Sequence, residues 1–451
     1  MVNRKLSIVP FAILILVNII ALFIPFNTDP TVANEGVNSG DTAWMLAATG
    51  LVLLMSPGLA FFYGGMVNSK NVISTMLQSF VAMAVVSVLW VVIGFGLAFG
   101  DTIGGVIGNP TQFAFFGNVM ATAPWSLAPT IPLMMFAFFQ LKFAIITPAL
   151  ITGAFAERIK FTSYVLFLVL FSLLIYAPLA HWTWHPEGFL FKLGVLDFAG
   201  GTVVHMSAGW AALASALYLK QRKVHVAESA LPPANIPYVL LGTGLLWFGW
   251  FGFNAGSAFG ANGLAASAFA TTNTASAAAA FTWILLDALK GKRPSALGFC
   301  IGAVVGLVAI TPAAGYVTIP ASIIIGTVAA AASNFVAEWR ARTTLDDTLD
   351  VFPCHGVGGM VGMIMTGIFA TNTVNSAVAD NGLFYGEFKL FTNHMIALVV
   401  VSAFAFFGSL LLLKITDLIT PLRVSESEEK EGLDKSQHGE SLVHDGGVLV
   451  H

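Results

Sequence analysis

The sequence predicts an all-α polytopic membrane protein with eleven transmembrane helices: two inverted five-helix repeats, plus a final helix. Three observations carry this. First, 57% of the 451 residues are hydrophobic and only 10% charged, and the mean hydropathy is +0.83, far from the balance of a soluble globular chain. Second, the basic content of the loops alternates strongly. Third, one spaced motif of ionisable residues occurs twice, five spans apart.

Apolar runs able to cross about 30 Å of hydrocarbon lie at 42–66, 72–99, 131–153, 161–180, 202–219, 236–259, 262–289, 297–310, 319–336, 352–370 and 395–418. Ahead of them, residues 1–33 hold Arg4 and Lys5 followed by an apolar block, Ser7 to Phe26. This block reads as a signal peptide, with a cleavage site at Thr31-Val32-Ala33, or as an additional span. Basic side chains are retained on the cytoplasmic side. Lys70, Arg158, Lys160, Lys220, Arg222, Lys223, Lys290, Lys292, Arg293, Arg340 and Arg342 fall in one set of loops, while the other set holds only Lys192 and Lys389. The first of the eleven spans therefore starts outside, residues 421–451 form a cytoplasmic tail, and the basic-poor loops 100–130 and 371–394 face outward.

A net charge of -3 implies no nucleic-acid partner. Cys300 and Cys354 lie in separate apolar stretches without zinc or redox spacing, so neither a disulfide framework nor a metal or other cofactor is expected.

The segment LDFAGGTVVHMSAGWAAL contains Asp197, His205 and Gly209 in the pattern D-x7-H-x3-G, and DTLDVFPCHGVGGM repeats it with Asp347, His355 and Gly359. Five spans separate the two copies. Five is odd, so the second half runs with inverted topology and both histidines are expected near the mid-plane. Inverted repeats meeting at a central site are a construction plan of transporters, and ionisable groups inside spans are costly enough to point to function. Asp197, at the mouth of its helix, is expected to cap the free N–H groups there.

The segments FFQLKFAIITPALITGAFAERIKF, LDFAGGTVVH, GWFGFNAGSA and DVFPCHGVGG, with the tail EGLDKSQHGES, resemble the ammonium transporter (Amt/MEP/Rh) family, and specifically its bacterial Amt-type members, from Asp41 to about Ser441. The resemblance implies a transmembrane domain over 41–420. His205 and His355 become the paired histidines of a narrow apolar pore, their rings joined by a hydrogen bond. Phe143 and Phe253 become the aromatic gate that closes the pore from outside. Phe139, Trp184 and Ser257 become the NH4+ recruitment site, with Trp182 as the alternative tryptophan, and Asp197 the structural acid beside it. An aromatic face and a hydroxyl oxygen suit a small, partly dehydrated cation. Lys142 departs from this pattern: turned into the vestibule it would repel ammonium, and about 100° of helix separates it from Phe143.

Read by composition alone, the charged tail is a solvated, disordered end. The resemblance instead implies that Gly432, Leu433 and Asp434, with His438 and Gly439, dock under a neighbouring subunit and meet a PII-type regulatory protein. It further implies a homotrimer in the cell inner (plasma) membrane, no enzymatic activity, and conduction of NH3 after deprotonation of NH4+, with the proton following so that transport is electrogenic. The rivals are an ammonium sensor of the same family with little transport, and an intramembrane enzyme using His205, His355 and Asp347.

Overall fold

The computed structural model describes residues 4–223 and 232–442. It is a helical bundle: α1 (Arg4–Ala21), α2 (Ser39–Met66), α3 (Val72–Phe99), α4 (Leu133–Phe155), α5 (Phe161–Leu193), α6 (Gly201–Leu219), α7 (Ile236–Gly256), α8 (Gly263–Leu289), α9 (Ala296–Ile310), α10 (Ile319–Ala341), α11 (Phe352–Phe369), α12 (Lys389–Ile419) and a short tail helix, α13 (Glu426–Glu431). A helix occupies each of the eleven apolar runs. Among the described residues nine, α2 to α7 and α10 to α12, are long and apolar enough to cross a membrane. Of the other two, α9 is short and α8 is rich in Ala, Ser and Thr.

Alternating helix directions put the loops around 100–132 and 370–388 at one end of the bundle, the loop-rich end. The basic loops and the tail collect at the opposite, basic end. The largest helix contact is between α2 and α7. It works through missing side chains: a Cβ on Gly242 would stand 2.3 Å from the Phe62 backbone nitrogen, so the two backbones touch as small-residue interfaces allow. Some buried donors are satisfied across helices. Trp90 Nε1 donates to Ala137 O at 3.0 Å, and Tyr164 Oη to Gln78 O at 2.7 Å.

Several boundaries differ from the sequence reading. Helix α5 runs past residue 180 to Leu193, broken after Trp184. Helix α12 begins at Lys389 rather than 395, because its polar first turns are buried and bonded: Asn393 Nδ2 donates to Leu193 O at 2.6 Å, and His394 Nδ1 pairs with Met363 O at 2.8 Å. The apolar side chains of α1, such as Ile8, Phe11 and Leu16, are exposed. The chain after it docks on the loop-rich end, where Asn27 N donates to Gly117 O at 2.8 Å.

The tail is ordered to residue 442, against the disordered reading, and residues 443–451 lie outside the described residues. It docks on its own chain. Asp434 Oδ1 accepts from Ser74 N at 2.7 Å and Oδ2 from Ile73 N at 3.1 Å, so this acid caps the start of α3. Leu433 N donates to Asn71 Oδ1 at 2.7 Å. The His438 ring meets Phe161 edge-on at 4.9 Å, and its Nε2 lies 3.2 Å from Ser74 Oγ. Gly432, at φ +96, presses on Lys70, where a Cβ would come within 2.4 Å of the lysine Cβ, and Gly439 turns the chain at φ +71.

Candidate functional site

The site grows from two irregular helix starts. Gly201–Met206 at the head of α6 and Phe352–Val357 at the head of α11 are π-helical turns, wider than the α-helix that follows, a distortion that recurs at functional sites. Each turn is held by the acid of its repeat. Asp197 Oδ1 accepts from Gly200 N at 2.7 Å and Gly201 N at 2.6 Å; Oδ2 accepts from Thr202 N at 2.7 Å and Thr202 Oγ1 at 2.5 Å. Asp347 Oδ2 accepts from Phe352 N at 2.7 Å. Asp197 to Thr202 and Asp347 to Phe352 are the same five-residue step, so the capping geometry repeats along with the motif. Gly200 sits at φ +118, a backbone that a side chain would strain.

The two helices cross in opposite directions. A Cβ on Gly209 would come within 2.1 Å of the Gly356 nitrogen, and one on Gly359 within 3.1 Å of His205 Cβ. From Gly209 to the end of α6, and from Gly359 to the end of α11, about ten residues remain, roughly 15 Å of helix each at 1.5 Å per residue. The crossing therefore lies at mid-depth, and there the rings meet: His205 Nδ1 and His355 Nδ1 are 3.3 Å apart, with ring centroids 5.4 Å apart and planes inclined by 24°.

One Nδ1–H must donate to the other Nδ1, so the two neutral rings hold opposite tautomers. His205 Nε2 is buried with no hydrogen-bond partner among the described residues, a vacancy rare enough in a folded interior to call for an explanation. The His205 ring stacks on Trp250 at 5.4 Å and 18°, and that indole is anchored by Nε1 donating to Thr311 Oγ1 at 2.9 Å.

Toward the loop-rich end an aromatic file continues from the histidines. Phe253 lies 6.1 Å from the His205 ring and 4.2 Å from Phe143, the phenyl planes inclined by 30°. Trp184 meets Phe143 edge-on at 5.7 Å, and its Nε1 donates to Asp197 O at 3.0 Å. Both phenylalanines are buried. Beyond them opens a cavity of 430 Å³ whose wall includes Phe143, Trp184, Ser257, Asp197, Gln140 and Tyr316. Ser257 Oγ donates to Phe253 O at 2.9 Å, leaving its oxygen free to accept.

The structure thus brings His205, His355, Phe143, Phe253, Trp184, Ser257 and Asp197 into one line. Phe139 does not line the cavity; it packs behind Phe143 at 4.9 Å and against Phe259 at 6.0 Å. Trp182 points elsewhere, its Nε1 donating to Val106 O at 2.7 Å. Lys142 turns away from the cavity, its Nζ 5.6 Å from the Phe138 ring centre. The sequence reading did not single out Trp250, Thr311, Gln140 or Tyr316; among them only Trp250, one turn before Phe253, carries a positional signal.

The profile of the Ammonium Transporter Family matches residues 43–443. The chain is 48% identical over 407 residues to the ammonium transporter of Bacillus subtilis (strain 168), covering 90% of this chain and 99% of the relative. The crystal structure of Saccharomyces cerevisiae Mep2 superposes with a TM-score of 0.83 at 34% identity, covering 89% of this chain and 93% of that one. A solved chain titled a sensor Amt protein superposes with a TM-score of 0.80 at 29% identity, covering 88% and 98%. With a match that runs through nearly the whole bundle and a relative close to half identical, the chain belongs to the ammonium transporter family.

Proposed function

We propose that the protein conducts ammonium nitrogen across the cell inner (plasma) membrane as NH3, after taking NH4+ at the loop-rich end. The carrying observation is the His205–His355 pair, buried at mid-depth behind Phe143 and Phe253 and in line with the cavity. In this reading all eleven helices α2 to α12 span as two inverted repeats plus α12. The loop-rich end faces outward and the tail lies in the cytoplasm, because the basic loops gather at the other end.

In the cavity NH4+ meets the face of Trp184 and the Ser257 oxygen. Cation–π attraction is worth about 0.5–1 kcal/mol at an exposed site and about 2 once water is shed. Asp197 acts indirectly: its carboxylate holds the α6 turn and its carbonyl holds Trp184. Phe139 supports Phe143 from behind. A bare cation beyond this point faces only apolar rings, which is expensive, whereas neutral ammonia costs little. The proton is released to water in the cavity above Phe143, and the ammonia passes His205, whose Nε2, without a partner among the described residues, offers a hydrogen bond. The paired imidazoles can relay the proton by exchanging tautomers, so that net charge moves with each ammonia. A homotrimer with one pore per subunit, and a PII-type protein at the tail, complete the reading by family resemblance.

The likeness to a solved sensor Amt protein keeps a second reading open: a sensor that retains cavity and tail but conducts little. Uptake and current, measured together on purified protein in lipid vesicles after an ammonium jump, separate the two. Matched uptake and current support electrogenic transport. Uptake without current overturns the proton relay, and the absence of both favours the sensor.

A further inference from the structure

We propose that the basic end carries a binding site for the headgroup of an anionic phospholipid, in a cavity of 520 Å³ lined by Lys290, Lys292, Glu338, Ala341 and Arg342. The cavity lies between the turn joining α8 to α9 and the last turn of α10. Its cations are arranged unequally. Glu338 alone holds both lysines, Lys290 Nζ at 2.9 Å and Lys292 Nζ at 2.6 Å, and Lys290 Nζ also reaches Asn334 Oδ1. Arg342 is exposed and has no ion pair among the described residues, as has Arg293 on the adjoining turn. The remaining charges nearby are spent elsewhere: Arg340 pairs with Asp350 at 2.7 Å, and Asp287 is buried against Asn334. The rim is therefore net positive, with two lysines already aimed by a shared carboxylate and a free guanidinium fork, the geometry that grips a phosphate diester.

Exposed apolar side chains stand beside these residues in the chain, Leu289 next to Lys290 and Phe335 and Trp339 on α10 near Glu338. Leu289 is 84% exposed, Phe335 69% and Trp339 54%. A phosphate set beside outward-facing aliphatic and aromatic side chains is the chemistry of a phospholipid, and an exposed indole at the end of a span, as Trp339 is, suits the membrane interface. Basic pockets between spans on the cytoplasmic side bind such headgroups, each basic side chain contributing about fivefold in affinity. The inference goes beyond the transport reading and borrows from it only the placement of this end in the cytoplasm.

The full chain purified in detergent, titrated with phosphatidylglycerol or phosphatidylcholine, reports the bound lipids by native mass spectrometry. Phosphatidylglycerol should bind more tightly, and Lys292→Gln with Arg342→Gln should weaken its tightest binding event more than tenfold while leaving phosphatidylcholine unchanged. Equal affinity for the two lipids, or an unchanged phosphatidylglycerol affinity in the double variant, overturns the site. Millimolar inorganic phosphate should not displace the lipid; displacement assigns the cavity to a soluble anion and overturns the lipid assignment. Ammonium uptake by the unaltered chain in phosphatidylcholine vesicles reads the transport function independently, so failure of one proposal is not mistaken for failure of the other.

Discussion

His205 and His355 face each other Nδ1 to Nδ1 at 3.3 Å although their helices run in opposite directions. Two helix starts that enter the bundle from opposite ends can meet only where both are half-way through it, which is why this contact fixes the depth of the site as well as its chemistry. The pairing consumes one nitrogen of each ring and leaves His205 Nε2 without a partner among the described residues.

Replacing either ring with alanine should therefore change conduction more than folding. His355→Ala removes the partner of His205 Nδ1, and an unpaired buried polar atom costs about 1–3 kcal/mol, tolerable in a bundle held by many helix contacts. Charge movement per ammonia should fall at least roughly tenfold while the purified variant elutes and melts close to the parent, since the relay needs both titratable rings. Paired uptake and current measurements check this; unchanged ion handling in both single variants would remove the histidines from the mechanism.

Asp197→Ala should behave in the opposite way. Four donors, from Gly200, Gly201 and Thr202, end on this one buried carboxylate, and at about 1–3 kcal/mol for each donor left unmet the α6 turn cannot persist. Folded yield in detergent should collapse, and Asp197→Asn should rescue it only in part, because its amide turns a donor toward donors. A stable, normally folded alanine variant would show that the turn is held by something else.

Asp347 gives a pH signature with a definite sign. Burial, and then the charge of Asp350, hold its carboxyl up at about 6. A native group with a raised value binds its proton more readily than the unfolded chain does, so this acid destabilises the fold above about pH 6. The penalty, roughly 3 kcal/mol against an ordinary carboxyl, is relieved as pH falls from 7 toward 4. Neighbouring Asp346 opposes its own burial through Arg158 and Arg222, and its carboxyl lies at about 2; the stability it lends is lost only as pH falls from the ordinary carboxyl range toward 2, outside that window. Asp347→Asn, whose side-chain oxygen still accepts from Phe352 N, should melt higher than the parent at pH 7 and lose part of the parent's rise in melting temperature between pH 7 and 5. Parallel melting curves for the two proteins would refute the assignment.

The tail predicts a local rather than a global effect. Asp434 caps α3 through Ile73 N and Ser74 N, and losing a cap costs about 1 kcal/mol, about a fivefold shift toward an undocked tail. Asp434→Ala should speed trypsin cleavage at Lys430 and Lys435 by about that factor without altering the melting of the bundle. Equal cleavage rates would mean the docking is carried by other contacts, such as Leu433 N on Asn71.

These features were not equally legible beforehand. The repeated D-x7-H-x3-G spacing exposed both histidines, both capping acids and the inversion, because a motif with fixed spacing survives even where helix boundaries blur. The π-helical turns were not readable, since one turn of apolar residues has no periodicity that separates it from an α-helix. The polar start of α12 read as loop; only the folded chain supplies Leu193 O and Met363 O, 200 and 31 residues away, to satisfy Asn393 and His394. Phe139 and Phe143 stand one turn apart on α4 and look equivalent in sequence. The difference between them is made by Gly256, where a Cβ would come within 2.8 Å of the Phe139 ring, leaving Phe139 a slot behind the cavity wall. Thr311, which anchors the Trp250 indole from 61 residues away, gave no local signal at all.

Phe253 joins the packing of the aromatic file to the selectivity proposed for it. Its ring centre lies 4.2 Å from that of Phe143, 5.5 Å from Trp250 and 6.1 Å from His205, so it stands between Phe143, which lines the cavity, and the imidazoles. Phe253→Ala removes a buried ring, which costs about 3–5 kcal/mol when the site cannot collapse, and leaves a path for water to reach His205 Nε2. A hydrated path lowers the barrier that excludes cations from an apolar file, so potassium should leak through the variant while ammonium uptake persists. Phe253→Leu, which keeps much of the volume and stays apolar, should hold potassium out and recover much of the lost stability. Potassium and ammonium fluxes in vesicles, read beside melting temperatures, make the comparison. Potassium exclusion as complete in the alanine variant as in the parent would place the selective barrier at the histidines themselves.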